Sequence, residues 1–423
     1  MFEKEIILGK GYLRSLLQYL SFVYNIGGKI HKLRDNRNNP KILTTSIVLT
    51  LLIGFMLKIR SFNQLDDWLE HNDFRRIVPR KMRLPRIDAI RDSLKVMELT
   101  DIQAFHHSII TTSIKNKLVR NGTIDGYKVV AFDGVELFES TKKNCVNCLT
   151  RVINKVPHYF HKSIVGAYVG QDPHIIIGQE MLKPKLDSAS KDEGELTAAK
   201  RLLQQLNKEH QRFADVIVYD ALACDAPWIN TVNLYNIDSV IRVKDMRLNI
   251  VKAAKEAFKN TSTNITWSYY KTATKQVTVS VWETYVQMSG VTEPIRFIKF
   301  LEKTTDCNTN KSKYNEVFII TTAHDMAVKT LHKIIHARWG IENNIIRQLK
   351  TQWHMNHCFI HDKNGLEATL MFMIISFNLM QLFFFRRMNQ FRCKKLLQVE
   401  VIERIIKEMM SYDAHGEYLI DTG

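Results

Sequence analysis

Apolar residues recur at helical spacing through the first 125 residues with few turn signals between them, and this predicts a helical segment over 1–125. At Tyr127 the pattern changes. Tyr-Lys-Val-Val-Ala-Phe-Asp is a β-branched, apolar run that ends on an acid, Asp133, and it predicts a strand. Runs at 163–169 and 174–181 flank the turn Gly170-Gln-Asp-Pro, which predicts an antiparallel hairpin and, with the first strand, a three-stranded meander. A helix follows over 191–206, acidic at its start and basic later, as the helix dipole favours. A short buried strand over 214–220 ends on Asp220, a helix opens at Pro227, and 239–244 reads as another strand. Strand, helix, strand, helix, strand implies a sheet with a parallel part. Residues 248–325 contain Thr266-Trp-Ser-Tyr-Tyr and a run at 277–286 that alternate with period two, so a β-rich insertion is expected there. One long helix is expected over 326–353, with Ile334, Ile341, Ile345 and Leu349 on one stripe and Gly340 interrupting without breaking it. The resulting division is 1–125, 126–247, 248–325, 326–395 and a C-terminal tail over 396–423.

Two apolar runs, 42–59 and 370–385, are short for a bilayer span of about 20 residues. They carry Thr44, Thr45, Ser46 and Thr50, or Ser376, Asn378 and Gln381, so buried helices and no membrane partner are expected, although Arg386 and Arg387 follow the second run as flanking cations would.

Charge narrows the function classes. Lys and Arg number 60 against 43 Asp and Glu, a formal charge of +17, which attracts polyanions such as nucleic acid or an anionic membrane. Cations are dense at Lys29, His31, Lys32, Arg34, Arg37 and Lys41. They are dense again at Arg75, Arg76, Arg80, Lys81, Arg83, Arg86 and Arg91, where Pro85 can open a helix that presents Arg86 and Arg91 to a phosphate backbone. Six cysteines are too few for a disulfide scaffold, and the first residues lack the basic and apolar segments of an export signal, so a cytoplasmic setting is expected. A phosphate-binding glycine loop and a Gly-x-Ser-x-Gly elbow are both absent, which argues against ATP use and serine hydrolysis.

Three acids stand out by position: Asp133 and Asp220 at the ends of strands, and Glu342 within the late helix. Two carboxylates on adjacent strand ends and a third on a packed helix can hold two Mg²⁺ ions, an arrangement suited to phosphodiester cleavage. Arg338 lies one helical turn before Glu342 and shares its face. The segments Asp133-Gly-Val-Glu-Leu-Phe-Glu-Ser, Val216-Ile-Val-Tyr-Asp-Ala-Leu-Ala-Cys-Asp-Ala-Pro and Arg338-Trp-Gly-Ile-Glu-Asn-Asn, with Leu349-Lys350, resemble the DDE transposases of bacterial insertion sequences, of the insertion sequence family 4 type with its Tyr-Arg-Glu-Lys signature. The signature's tyrosine position holds Ile335, and Lys350 lies eight residues beyond Glu342 instead of seven, which leaves Arg347 to share the lysine's task.

The resemblance implies an α/β fold: a ribonuclease H-like mixed sheet flanked by helices, with an N-terminal helical DNA-binding domain and a β-rich insertion. It implies Asp133, Asp220 and Glu342 as catalytic residues and ligands of two Mg²⁺ or Mn²⁺ ions, and Arg338, Arg347 and Lys350 as DNA contacts. It further implies cleavage and joining at terminal inverted repeats, transfer into target DNA, and a homodimer on paired ends. A transposase-derived nuclease and a DNA-binding protein without catalysis are the alternatives.

Other signals are weaker. Cys145 and Cys148 with His158 and His161 have the ligand types of a zinc site, but the offset of the two histidines puts them on opposite faces of a strand, and reduced thiols are expected instead. Asp192, Glu193 and Glu195 suit a helix N-terminus. Glu136 lies near enough to Asp133 to assist a metal, or points aside. His354, His357 and His361 are expected on one solvated helix face, in contact with DNA backbone at most. Trp267 and Trp282 are candidates by type for clamping a flipped base and are otherwise part of a packed β surface.

Overall fold

The computed structural model describes residues 11–71, 73–79, 81–185, 191–259, 265–388 and 396–410. Arg80 and the side chain of Arg76 in the second cation run, the extreme N-terminus, and 411–423 of the expected tail lie outside the described residues. The chain opens with helices α1 (Tyr12–Phe22), α2 (Ile26–Ile30), α3 (Thr44–Met56), α4 (Phe62–Glu70), α5 (Ile87–Val96) and α6 (Leu99–Lys115). Ser61 starts α4 by accepting a hydrogen bond from the Gln64 amide. In α3 every residue after Thr44 is buried, which explains why this run lacks an amphipathic stripe.

Next come β1 (Val129–Ser140), β2 (Leu149–Ile153), β3 (Val156–Tyr168), β4 (Ile175–Met181), α7 (Glu195–Glu209), β5 (Val216–Tyr219), α8 (Ala226–Asn233) and β6 (Asp238–Val243). β1, β3 and β4 pair antiparallel, whereas β5 pairs parallel with both β1 and β6. The spatial order β4-β3-β1-β5-β6 is the ribonuclease H-like arrangement, flanked by helices as expected. Asp225 caps α8 through the Trp228 amide, so the chain turns back from β5 to lay β6 alongside it.

After α9 (Asn249–Lys259) the strands β7 (Ile265–Thr272), β8 (Lys275–Val286), β9 (Ile295–Asp306) and β10 (Ser312–Thr321) form a meander. The β-rich stretch does not make a separate sheet. β10 pairs antiparallel with β6, giving one ten-stranded sheet. The apolar face of β10 at Val317–Ile320 finds its hydrogen-bond partners in the exposed edge of β6, which closes that edge.

The late helix is continuous but irregular: α10 (Val328–Ala337) runs into a π-helical turn at Ile341–Ile346 and then α11 (Arg347–Gln352). Ile334, Ile341, Ile345 and Leu349 are all buried, as their stripe predicts. The helix stops at Gln352, so His354, His357 and His361 do not share a helical face; they lie in the segment leading to α12 (Lys363–Leu382). The tail region also differs from expectation, because α13 (Gln398–Met410) packs on α1, and Glu408 accepts hydrogen bonds from the Tyr12 and Leu13 amides.

α12 organises the whole molecule. Asp362 caps it by accepting from the Asn364 and Gly365 amides, and it packs against α3, α5, α6 and β4. The helical stretch Lys363–Arg387 has the length and composition of a membrane span, yet 94% of its apolar window is buried inside the protein. Its polar residues have internal work: Ser376 donates to Leu52 O at 3.0 Å, and Asn378 bonds the edge strand β4 through both Ile176 N (2.9 Å) and Ile176 O (2.7 Å). Asn378→Leu takes the acceptor from the buried Ile176 amide, while Ile176 O keeps His106 Nε2 at 3.1 Å. The variant is expected to lose about 1–3 kcal/mol of stability in denaturant unfolding; an unchanged midpoint would show that this contact does not hold β4 to the helical layer.

Candidate active site

The position of the first two acids follows from strand register. Val129 pairs with Val216, Val130 with Ile217 and Ala131 with Val218, and the same parallel register carried two residues further sets Asp133 beside Asp220. Neighbouring strands lie about 4.7–4.9 Å apart, so the two carboxylates start from adjacent backbones. Asp133 is not at the end of its strand. β1 continues to Ser140 because β3 still pairs with it, Asp133 opposite Val165; what ends near Asp133 is the pairing with β5.

Each aspartate has one oxygen anchored locally. Asp133 Oδ1 accepts from the Gly134 amide at 3.0 Å, and Asp220 Oδ1 accepts from the Leu222 amide at 3.0 Å as it caps a short 3₁₀ turn. Glu342 comes from across the sheet on the π-helical turn, which packs against β1. π-helical turns inside α-helices are frequent at functional sites because the extra residue re-aims side chains.

The electrostatics bring the three acids into one group. Burial pushes the Asp133 carboxyl up to about 7, and the negative charges of Glu342 and Asp220 push in the same direction, while Arg338 opposes them. Arg338 is itself buried, with Nη1 2.7 Å from Glu342 Oε1. That contact is one of charge, not a directed hydrogen bond, and the Arg338 Nε and Nη1 groups have no hydrogen-bond partner. The buried guanidinium thus lends positive charge to the clustered carboxylates, with Nε left without a hydrogen-bond partner. Arg347 is exposed and Lys350 half-buried further along the same helix.

Several neighbours were not legible as site residues. Glu195 pairs with Lys162 at 2.6 Å beside Gly134, where any side chain would collide with the Glu195 carboxylate. The Tyr219 hydroxyl is buried without a partner, and burial followed by the charges of Glu195, Asp133 and Asp220 raises its pKa. Arg242 stacks over the Trp339 ring at 5.2 Å. Glu195 reads in the sequence as a helix-dipole residue, and nothing local signals its approach to Gly134, next to Asp133.

Other expectations resolve differently. Glu136 makes a two-pronged pair with Arg151 at 2.8 and 2.9 Å and so is committed to that cation. Asp192 and Glu193 accept from the Thr150, Lys185 and Lys183 amides, tying loops together instead of capping α7, whose N-cap Gly194 makes no side-chain bond. His158 turns to Glu139 at 2.5 Å and away from Cys145 and Cys148. In the basic runs, Arg34 pairs with Asp101, and Arg86 with Asp66 and Glu70. Trp267 and Trp282 are half-buried on the sheet, Trp267 against His332 and Trp282 under Lys299.

The sequence pattern of the family described as Transposase DDE domain matches residues 159–379, just over half of the chain. The chain belongs to that family. Asp220 and Glu342 lie within the matched span and Asp133 precedes it. Comparison with curated proteins gives no match. Among solved structures, the chain is similar to a piggyBac transposase synaptic complex with hairpin DNA, at 12% identity and a TM-score of 0.44, covering 94% of this chain and 80% of that one.

A pH prediction follows from Asp133. Its folded pKa is raised, so its contribution favours folding at low pH and is lost as pH rises from the unfolded value near 3.8 through about 7. Without divalent cations, Asp133→Asn should therefore stabilise the protein at pH 8 by about 1–3 kcal/mol and flatten the profile between those values. Equal or lower stability of the variant at pH 8 would contradict the like-charge cluster.

Proposed function

We propose that this transposase cleaves and joins DNA at the terminal inverted repeats of an insertion sequence of the family 4 type, using Asp133, Asp220 and Glu342 as ligands of two Mg²⁺ or Mn²⁺ ions. The observation that carries the reading is the crowding of two further carboxylates and a buried guanidinium around Asp133. An all-oxygen donor set of clustered, mutually repelling carboxylates suits hard divalent cations. The residue types fit such ions, although the three carboxylates are not gathered within 4.8 Å of one another: Asp133 and Glu342 would serve one, with Asp220 shared between both. When bound, the ions supply the positive charge that activates a nucleophilic oxygen and stabilises the leaving one.

The chain's own residues do the rest. Backbone amides of Gly134 and Leu222 fix the orientation of the two aspartates, and the sheet below them excludes water from one side. Arg338, ion-paired to Glu342 through Nη1, places its positive charge against the acids, where it would offset the charge of the phosphate being cut. Arg347 and Lys350 lie further along that helix, placed to follow the backbone of the same strand. The helical region 1–125 is assigned to binding the element ends, and two ends per element call for a homodimer. The excess of positive charge supports a polyanionic partner.

The test uses duplexes carrying the element's own termini. Asp220→Asn should abolish cleavage in Mg²⁺ and Mn²⁺ while end binding by gel shift stays close to wild type. Arg338→Lys should slow cleavage roughly ten- to a hundredfold, the loss expected when hydrogen bonds to a charged group worth ~1.5–3 kcal/mol are removed. Cleavage that persists in Asp220→Asn would refute the assignment, and cutting without joined products would reduce the function to that of a nuclease.

A further inference from the structure

We propose that Cys145, Cys148, His161 and His361 form a structural zinc site, separate from the three acids. The side-chain ligand atoms of these residues all lie within 4.8 Å of one another. Cys145 and Cys148 Sγ are 3.7 Å apart; His161 Nε2 is 3.3 Å from Cys145 Sγ and 3.4 Å from Cys148 Sγ; His361 Nε2 is 3.7 Å from Cys148 Sγ. In tetrahedral zinc sites, bonds of about 2.3 Å to sulfur and about 2.0–2.1 Å to nitrogen put sulfur pairs about 3.8 Å apart and sulfur–nitrogen pairs about 3.6 Å apart. The four observed separations match that tetrahedron. The sulfurs are too far apart for a disulfide, whose S–S bond is about 2.05 Å.

The surroundings suit a closed site. Cys148 and His161 are buried and the other two half-buried. The Cys145 amide points at Cys148 Sγ at 3.3 Å, a bond that stabilises thiolate charge, and the Phe138 ring packs against both imidazoles. Four protein ligands leave no open position for water or substrate, so the role is structural. The ligands come from three places: the loop after β1, strand β3, and the segment between α11 and the cap of α12. Zinc would therefore clamp the chain just beyond the Glu342-bearing helix onto the sheet that carries Asp133.

Two other clusters serve as controls. Glu302 Oε1 accepts from His332 Nε2 at 2.8 Å and His336 Nε2 at 2.5 Å, and His107 lies beside Glu209 and His210. In the first of these, the carboxylate already partners both imidazoles.

The experiment measures zinc per chain by mass spectrometry of the full protein purified from zinc-supplemented cells. One zinc per chain is expected, falling to background in Cys148→Ser and His361→Ala and retained in His158→Ala, in Glu302→Gln, and in Cys358→Ser, whose half-buried thiol lies near Cys145 and Cys148 but outside the cluster of four. Since ligand variants can misfold, wild-type protein loaded with cobalt(II) provides an independent reading: intense visible bands of tetrahedral cobalt with thiolate-to-metal charge transfer are expected. Folded wild type without stoichiometric zinc overturns the proposal, as does a cobalt spectrum lacking thiolate bands. Loss of metal in Cys358→Ser with retention in His361→Ala overturns the ligand set. None of these readouts depends on DNA cleavage, so they stand apart from the transposition reading.

Discussion

Negative charge that the fold would rather disperse is instead concentrated around Asp133, and much of the architecture serves to hold it there. Burial and two neighbouring carboxylates make ionisation of Asp133 costly, and Arg338 offsets only part of that cost. Such an arrangement persists only if the surrounding packing over-determines it. Parallel pairing of β1 with β5 sets the two aspartates side by side, and the apolar stripe of α10 and α11 seats Glu342 above them. Neither element can shift without exposing a buried apolar surface, so the repulsion is contained by the core.

The same core joins the parts that look separate along the chain. α12 is apolar enough to resemble a membrane span, yet it is the shared spine of the molecule, with the N-terminal helices on one side and β4 on another. Its few polar side chains bind backbone groups of both layers, which is why polar residues persist in an otherwise apolar helix. Closing the free edge of β6 with β10 extends the sheet on the far side and leaves β7 as its outer strand.

Positive charge is distributed by kind. Arg34 and Arg86 of the N-terminal runs are paired with nearby acids at the surface, where such pairs contribute little stability. Arg338 is different because it is buried, ion-paired to Glu342, and leaves Nε without a hydrogen-bond partner. The net charge of the chain describes attraction at a distance; this one side chain sets the charge balance inside the acid cluster.

Local patterning was enough to read most strands and helices in order and a sheet with a parallel part, because period-two and helical spacings, turn residues and caps act over a few neighbouring residues, whereas the ribonuclease H-like class came with the family resemblance. The stripe of Ile334, Ile341, Ile345 and Leu349 announced its helix, and the acid endings of two apolar runs announced Asp133 and Asp220. What the pattern could not carry were choices made between distant segments. The continuation of β1 past Asp133 depends on β3, the absorption of the β-rich stretch into the main sheet depends on the edge of β6, and the approach of Glu195 depends on how α7 lies over the strands. The offset of His158 and His161 already set them on opposite faces of a strand, and the structure turns one toward Glu139 and the other toward the cysteines, where His361, remote along the chain, completes a group that no local spacing announced. Sequence by itself determined the elements and the chemistry they carry; only tertiary structure decided which of those groups meet, because contact between them is set by the packing of surfaces whose residues are remote along the chain.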